Sequence, residues 1–444
     1  MKKIAPLILF TIFALSLQPV AAQVKLSDSA RITLLTASPW YEAVYSLFGH
    51  TAIRVQDDST GIDAVFNYGY FDSSQPHFIY HFIRGETDYV LGVTSFQQFL
   101  IEYGYKGQEV VEQELNLSLQ EKQELFDALQ INALPENCGY RYNYFFDNCA
   151  TRPRDMVERY THGIIEYPPT QEGQSFRDLI HEHVSHSPWT KFGIDLIIGS
   201  DADREIDVRE KMYIPSYLMN SFEEATIHPN SNPEHDEISR QGDDVHQGNT
   251  IHQGDSVTLS RPLVSHSSVL LPGNPEVNHP GKRFPVTPFT AGIILLVLTL
   301  LLSLWQAVRL DKLKLQQWFD TFLFGVSGLG GIIVFVLMYF SEHPATNPNW
   351  NFAWLNPIAL FAAFLFWSSR AEKAVFFYHF INFAVVLLFL LLWWLIPQQL
   401  PLETIPFALC LALRSGTNLL IVRKKRIKNR RYASSRTLKR RWGI

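Results

Sequence analysis

Five apolar stretches crowd the last third of this 444-residue chain, at about 288–308, 318–340, 352–367, 375–397 and 405–422. A helix needs about 20 apolar residues to cross a bilayer, so this third is built for lipid, with its backbone bonded internally. The third stretch is the shortest and carries Asn356-Pro357, which predicts a kinked or tilted segment. Arg309, Lys312 and Lys314 follow the first stretch, and Arg370 and Lys373 follow the third. The loops 341–351 and 397–404 hold no Lys or Arg, whereas the tail 423–444 holds eleven and no acid. Basic residues stay on the cytoplasmic side, so the pattern predicts five spans with the tail in the cytoplasm. Everything ahead of the first span then lies on the opposite side of the membrane.

The N-terminal segment agrees. Lys2 and Lys3 precede an apolar run over 4–17, and Val20-Ala21-Ala22 supplies small residues before Gln23. Residues 1–22 therefore read as a secretory signal peptide cleaved after Ala22, and the chain as a bacterial inner-membrane protein with a periplasmic domain. The formal net charge of −5 is misleading, because without the tail 27 basic residues face 43 acidic ones. Such an acidic body argues against nucleic acid as a partner and leaves the basic tail as an anchor near anionic lipid. Three cysteines are too few for a disulfide framework, and Cys410 falls within the fifth span.

Residues 23–222 suffice for one domain with its own core. Alternating or β-rich stretches occur at 31–36, 51–56, 64–70 and 110–117. Ser95 with Gln98 and Ser118 with Glu121 are capping-box pairs ahead of helices over 96–103 and 119–134, the second stopped by Pro135. Thr151, with Pro153 just inside, opens a helix to about Tyr160. The order is that of an α+β domain followed by an all-α membrane domain at 286–422. Between them, 223–285 reads as a linker, since Gln241-Gly242-Asp243-Asp244-Val245-His246 recurs as two further polar hexapeptides. Its histidines, His228, His235, His246, His252 and His266, suit metal binding less well than a tolerated repeat expansion.

Chemistry concentrates in two places. His50 follows a Gly turn and opens the strand Thr51-Ala52-Ile53-Arg54. Cys149 stands in Asp147-Asn148-Cys149-Ala150-Thr151-Arg152-Pro153-Arg154-Asp155, on the turn into a helix. A helix N-terminus lends partial positive charge and free N–H groups to a thiol, and an imidazole takes its proton. A disulfide with Cys138 and a buried inert Cys are the alternatives for Cys149; for His50 it is a core histidine bonded to backbone. Asn67 and Tyr68, on the following strand, are equal candidates to orient the far ring nitrogen. His77 and His81 lie in a Phe- and Tyr-rich stretch that suits either an acyl-chain contact or core.

With these residues in place the chain resembles the Lnb family, the lipoprotein N-acyltransferases of Bacteroidota. The resemblance is carried by Gly49-His50-Thr51-Ala52-Ile53-Arg54, by Asn67-Tyr68-Gly69-Tyr70-Phe71-Asp72 and by the Cys149 segment, and extends to His343–Pro357 with Asn347, Asn349, Asn351 and Asn356. It implies a circularly permuted papain-like (NlpC-type) fold, in which the His precedes the Cys. It implies also that Cys149 takes an acyl group from a membrane phospholipid and passes it to the amine of diacylglyceryl-cysteine apolipoproteins. Asn148, Arg152, Arg154, His343, Asn347, Asn349 and Asn351 are then candidate substrate contacts. The chemistry asks for no metal and no cofactor. A cysteine phospholipase, a cell-wall peptide hydrolase and a non-catalytic membrane receptor with bridged Cys138 and Cys149 remain the competing classes.

Overall fold

The computed structural model describes residues 24–74, 76–229, 260–281, 284–309 and 314–442, with side chains to Ile427 in the last helix. The signal segment and the hexapeptide repeat lie outside these residues. Ten strands are described: β1 (Arg31–Ala37), β2 (His50–Asp57), β3 (Ile62–Tyr70), β4 (Asp88–Ser95), β5 (Val110–Leu115), β6 (Gly139–Arg141), β7 (Ile164–Glu166), β8 (Thr226–His228), β9 (Arg261–Pro262) and β10 (Val264–Leu271). Seven form an antiparallel sheet in the order β10-β5-β1-β2-β3-β4-β6, and β7-β8-β9 form a small second sheet.

Both faces of the large sheet are covered, which is why β1 is buried almost throughout. Leu34, Ile53, Phe66 and Tyr68 face one core, shared with α3 (Leu119–Asn132), α4 (Thr151–Tyr160) and α8 (Pro215–Glu223). Leu35, Ala52 and Val65 face the other, under α2 (Phe96–Tyr105). Each buried Leu, Ile or Phe contributes about 1.5–3 kcal/mol, so these alternating positions decide the register. Both expected capping boxes are formed, Ser95 with Gln98 and Ser118 with Glu121. A short α1 (Phe78–Arg84) precedes α2; α5 (Phe176–Val184), α6 (Pro188–Ile197) and α8 gather around Phe176, Leu179, Tyr213 and Ile214, and Val208 of α7 (Val208–Lys211) packs on the first core.

The linker expected over 223–285 is corrected on both sides of the repeat. β8 and β9 pair with each other, and β10 pairs with β5 as the edge of the large sheet. Without β10 the edge of β5 would present unpaired backbone groups, and Val264 at one end and Leu270 and Leu271 at the other pack the strand on the cores. Of the repeat-region histidines, His228 pairs with Glu166, and no metal-holding cluster occurs among the described residues.

The membrane domain comprises α9 (Pro288–Arg309), α10 (Lys314–Phe340), α11 (Ile358–Leu365), α12 (Glu372–Leu391) and α13 (Thr404–Trp442). Among the described residues, four helical segments are long and apolar enough to cross a bilayer: Pro288–Arg309, Lys314–Phe340, Ser369–Leu391 and Thr404–Ile427. The expected third span is a shorter apolar segment, Trp350–Leu365, in which a 3-10 turn precedes Asn356-Pro357 and the α-helix starts only after the proline. It packs antiparallel on α10 because Gly328 and Gly331 leave room. A Cβ on either would stand 2.2 Å from Leu360 N or 2.4 Å from the Asn356 carbonyl carbon. Its far end reaches the start of α10, where Gln317 Nε2 donates to Phe366 O and Trp318 packs on Trp367. Buried Arg414 on α13 donates to Asp320, Ser303 and Gln306, tying three helices through one fully paired charge.

Candidate active site

β2 and β3 pair from Asp57↔Ile62 to Ile53↔Phe66 and then part. The turn carrying Cys149 occupies the gap. On one side the backbone N–H of Thr51 lies near enough to the Cys149 sulfur to favour its ionised form. On the other, a Cβ built on Gly69 (φ +104°) would touch Cys149 Cβ at 3.4 Å. Glycine suits both the backbone angle and the close approach. The thiol is therefore held directly beside the residue that follows His50.

Asn148 shapes this turn. It is 3 % exposed, its Oδ1 accepts from the N–H groups of Ala150 and Thr151, and its Nδ2 donates to the carbonyls of Tyr144 and Tyr213. Its side chain caps the first turn of α4, and Cys149 lies on the turn ahead of the regular helix, as expected from Pro153. Asn148, expected as a substrate contact, is thus buried with its amide committed to the backbone around the turn.

His50 Nε2 lies 3.4 Å from Asn67 Oδ1. Asn67 Nδ2 donates to Val65 O and Thr94 Oγ1, so the amide turns its oxygen to the ring and Nε2 carries the proton. Nδ1 is then the free base. The register decides between the two candidates for this role: with Ile53 opposite Phe66, Asn67 shares the face of His50 and Tyr68 points the other way. Tyr68 is buried and donates to Asn132 Oδ1 at 2.6 Å, so it does not orient His50.

Burial dominates the electrostatics. It pushes the Cys149 thiol up to about 11, against the N–H groups of Thr51 and of Cys149 itself. It also lowers the His50 imidazole to about 4, with the Asn67 bond opposing. Burial therefore favours the uncharged thiol and the uncharged imidazole at neutral pH. The nearby guanidinium groups do not alter this. Arg152 donates to Asp147 and stacks 3.7 Å over the Tyr140 ring, and Arg154, 5 % exposed, donates to Asp155 and to Arg209 O. Both were expected as substrate contacts; each is already paired, and Arg154 is buried where α4 meets α7. Cys138, Cys149 and Cys410 are all free thiols, so the disulfide alternative is not realised.

Two family models cover most of this architecture. Residues 19–178 match the Lnb N-terminal periplasmic domain, and residues 280–426 match the Lnb transmembrane domain. The chain belongs to the Lnb family. It is accordingly a membrane protein of lipoprotein maturation with a periplasmic N-terminal domain. No curated protein and no solved structure matches it.

In this Lnb chain most of the outer-loop residues expected as substrate contacts are bonded to the periplasmic domain. Asn349 Nδ2 donates to Leu196 O, Asn351 Nδ2 to Asp195 O, and Gln398 Nε2 to Ile198 O. These are carbonyls at the C-terminal end of α6, which would otherwise be unsatisfied where the two domains meet. Gly199 N and Ser200 N complete the joint, donating to Ala345 O and Pro348 O. His343 Nε2 bonds Phe82 O on α1 at 2.6 Å. Asn349, Asn351 and His343 thus fasten the periplasmic domain to the membrane domain, and Asn347 alone of the four is exposed. Sequence reasoning had no signal for Gln398, or for buried Arg177, which pairs with Asp195 and Asp203 behind the same joint.

Proposed function

We propose that this protein transfers a fatty acyl group from a membrane glycerophospholipid to the N-terminal amine of diacylglyceryl-cysteine apolipoproteins, through a thioester on Cys149. The observation that carries the proposal is the lodging of the Cys149 thiol against Thr51 N–H, beside an imidazole held by Asn67, in a domain fastened to membrane helices. The sulfur attacks the ester carbonyl while His50 Nδ1 takes the thiol proton, and N–H groups of Thr51 and Cys149 face the developing oxyanion. The intermediate collapses to a thioester as His50 returns the proton to the leaving lysophospholipid oxygen. The lipoprotein amine then attacks the thioester, giving up a proton to His50, and the thiol is regenerated with an amide formed.

A His strand before a Cys helix, with the helix start wedged into the sheet, supports a circularly permuted papain-like fold. We read the membrane domain as five passes in the inner membrane with a cytoplasmic tail. The reach of Trp350–Leu365 to the start of α10 and the basic residues after 423 support that reading. Free Cys138 and Cys149 weigh against a bridged receptor. The discriminating experiment supplies purified protein with phospholipid alone and then with a diacylglyceryl-lipopeptide. Acyl product on the peptide amine supports transfer, and free fatty acid unaffected by the peptide makes the protein a thiol phospholipase.

A further inference from the structure

Helix α1 presents an exposed, mostly apolar surface and is fixed to the membrane domain. Ile79 is 73 % exposed, and Tyr80, Phe82 and Ile83 are exposed beside it. The C-terminal carbonyls of α1 are bonded by the residues that follow α10: Ser341 Oγ donates to Ile83 O, Glu342 N to Arg84 O, and His343 bonds Phe82 O. The helix therefore sits at the outer end of a membrane-spanning helix whose own last residues, Tyr339 and Phe340, are exposed too. Aromatic and aliphatic side chains at that depth belong to the bilayer interface.

From α1 a row of rings runs inward. Phe82 stacks on Phe78 at 6.0 Å, Phe78 on Phe71 at 5.7 Å, Phe71 meets Tyr89 at 5.0 Å, and Tyr89 stacks on Tyr142 at 4.1 Å. Tyr45 closes on Phe71 from the opposite side at 5.6 Å. Tyr89 pairs with Tyr140 across β4 and β6, and a Cβ built on Gly69 would stand 4.0 Å from the Tyr140 hydroxyl and 3.4 Å from Cys149 Cβ, so the row ends beside the nucleophile. The row links the bilayer surface to the nucleophile without an intervening charged side chain among its members.

We propose that this row is the acyl-chain site: the chain of a phospholipid from the outer leaflet leaves the bilayer over α1 and lies along Phe82, Phe78 and Phe71, with its ester carbonyl at Cys149. The proposal rests on the phospholipid being the acyl donor. A fatty chain matches an unpolar row of this length, whereas a peptide would leave its backbone groups unpaired there.

The test separates the two claims by using binding without chemistry. Full-length Cys149→Ala protein in nanodiscs is irradiated with a phosphatidylethanolamine carrying a diazirine in its acyl chain, and adducts are mapped by peptide mass spectrometry. Labelling of Phe71, Phe78, Phe82 and Tyr89 is expected. Phe78→Asp should cut labelling at Tyr89 by about tenfold or more, since a carboxylate interrupts the apolar row. Phe78→Leu should preserve it, and Ile131→Asp, exposed on α3, should change nothing. Adducts confined to the membrane helices, or Tyr89 labelling undiminished in Phe78→Asp, overturn the proposal. If wild-type Cys149 takes no acyl group but the row is labelled, the transfer reading fails and the lipid site stands.

Discussion

Asn67→Ala isolates one hydrogen bond on which the dyad geometry depends. Asn67 is 1 % exposed and accepts from His50 Nε2, while its amide nitrogen is committed to Val65 and Thr94. In the resting protein the bond to His50 joins neutral groups and is worth about 1 kcal/mol. Once Nδ1 has taken the thiol proton, the donor is an imidazolium, and such a bond is worth about 1.5–3 kcal/mol. A difference of about 0.5–2 kcal/mol is thus realised only as the sulfur attacks, so losing it should lower kcat/KM for acylation about 2- to 30-fold. Asn67→Asp should behave differently. It restores an acceptor, and its charge should raise His50 above its value of about 4, moving the acid limb of the rate to higher pH. The assay is the rate at which thioester appears on Cys149, read by intact-protein mass spectrometry across pH. An Asn67→Ala variant that is normally folded and acylates within about twofold of wild type would refute the geometry.

Three further outcomes follow from the same arrangement. Tyr68→Phe removes only the bond to Asn132, so it should cost about 1 kcal/mol of stability in a thermal melt and leave the acylation rate unchanged. Alkylation of Cys149 by iodoacetamide should keep rising with pH toward about 11, because burial keeps the thiol protonated at neutrality, and a plateau near neutral pH would mean a preformed ion pair. Asn351→Ala strands Asp195 O and the Trp354 indole N–H in a fully buried joint, which should cost about 1–3 kcal/mol per group and loosen proteolytic protection of α6. Exposed Asn347→Ala should show neither effect.

Much of the periplasmic fold is legible because local signals agree with it. Two capping boxes mark α2 and α3, and alternating apolar residues mark β1, β2, β3 and β5. β4 is hidden in the sequence because Asp88, Gly92, Thr94 and Ser95 blur its alternation, and β10 because it lies beyond a polar repeat that reads as linker. His50 and Cys149 are visible as residue types in a setting that chemistry recognises. The choice of Asn67 over Tyr68 was not, since it depends on a cross-strand register that sequence does not state. Asn349 and Asn351 look like ligand contacts from sequence because exposure cannot be read there. Only the packed joint reveals that they satisfy the end of α6. The third membrane segment is readable as irregular from Asn356-Pro357, but its passage beside Gly328 and Gly331 is a packing fact.

The most direct measurement of the central claim is a two-step reaction on the intact protein. Incubation with phospholipid alone should place one hydroxylamine-sensitive acyl group on Cys149 and release lysophospholipid, with little free fatty acid. Addition of a diacylglyceryl-lipopeptide with a free amine should discharge that group into an amide, and an acetylated amine should leave it in place. Cys149→Ser should abolish both steps without loss of folding, because the hydroxyl is a poor nucleophile beside a neutral imidazole. Absence of any adduct on Cys149 while lipopeptide is still acylated would contradict the account.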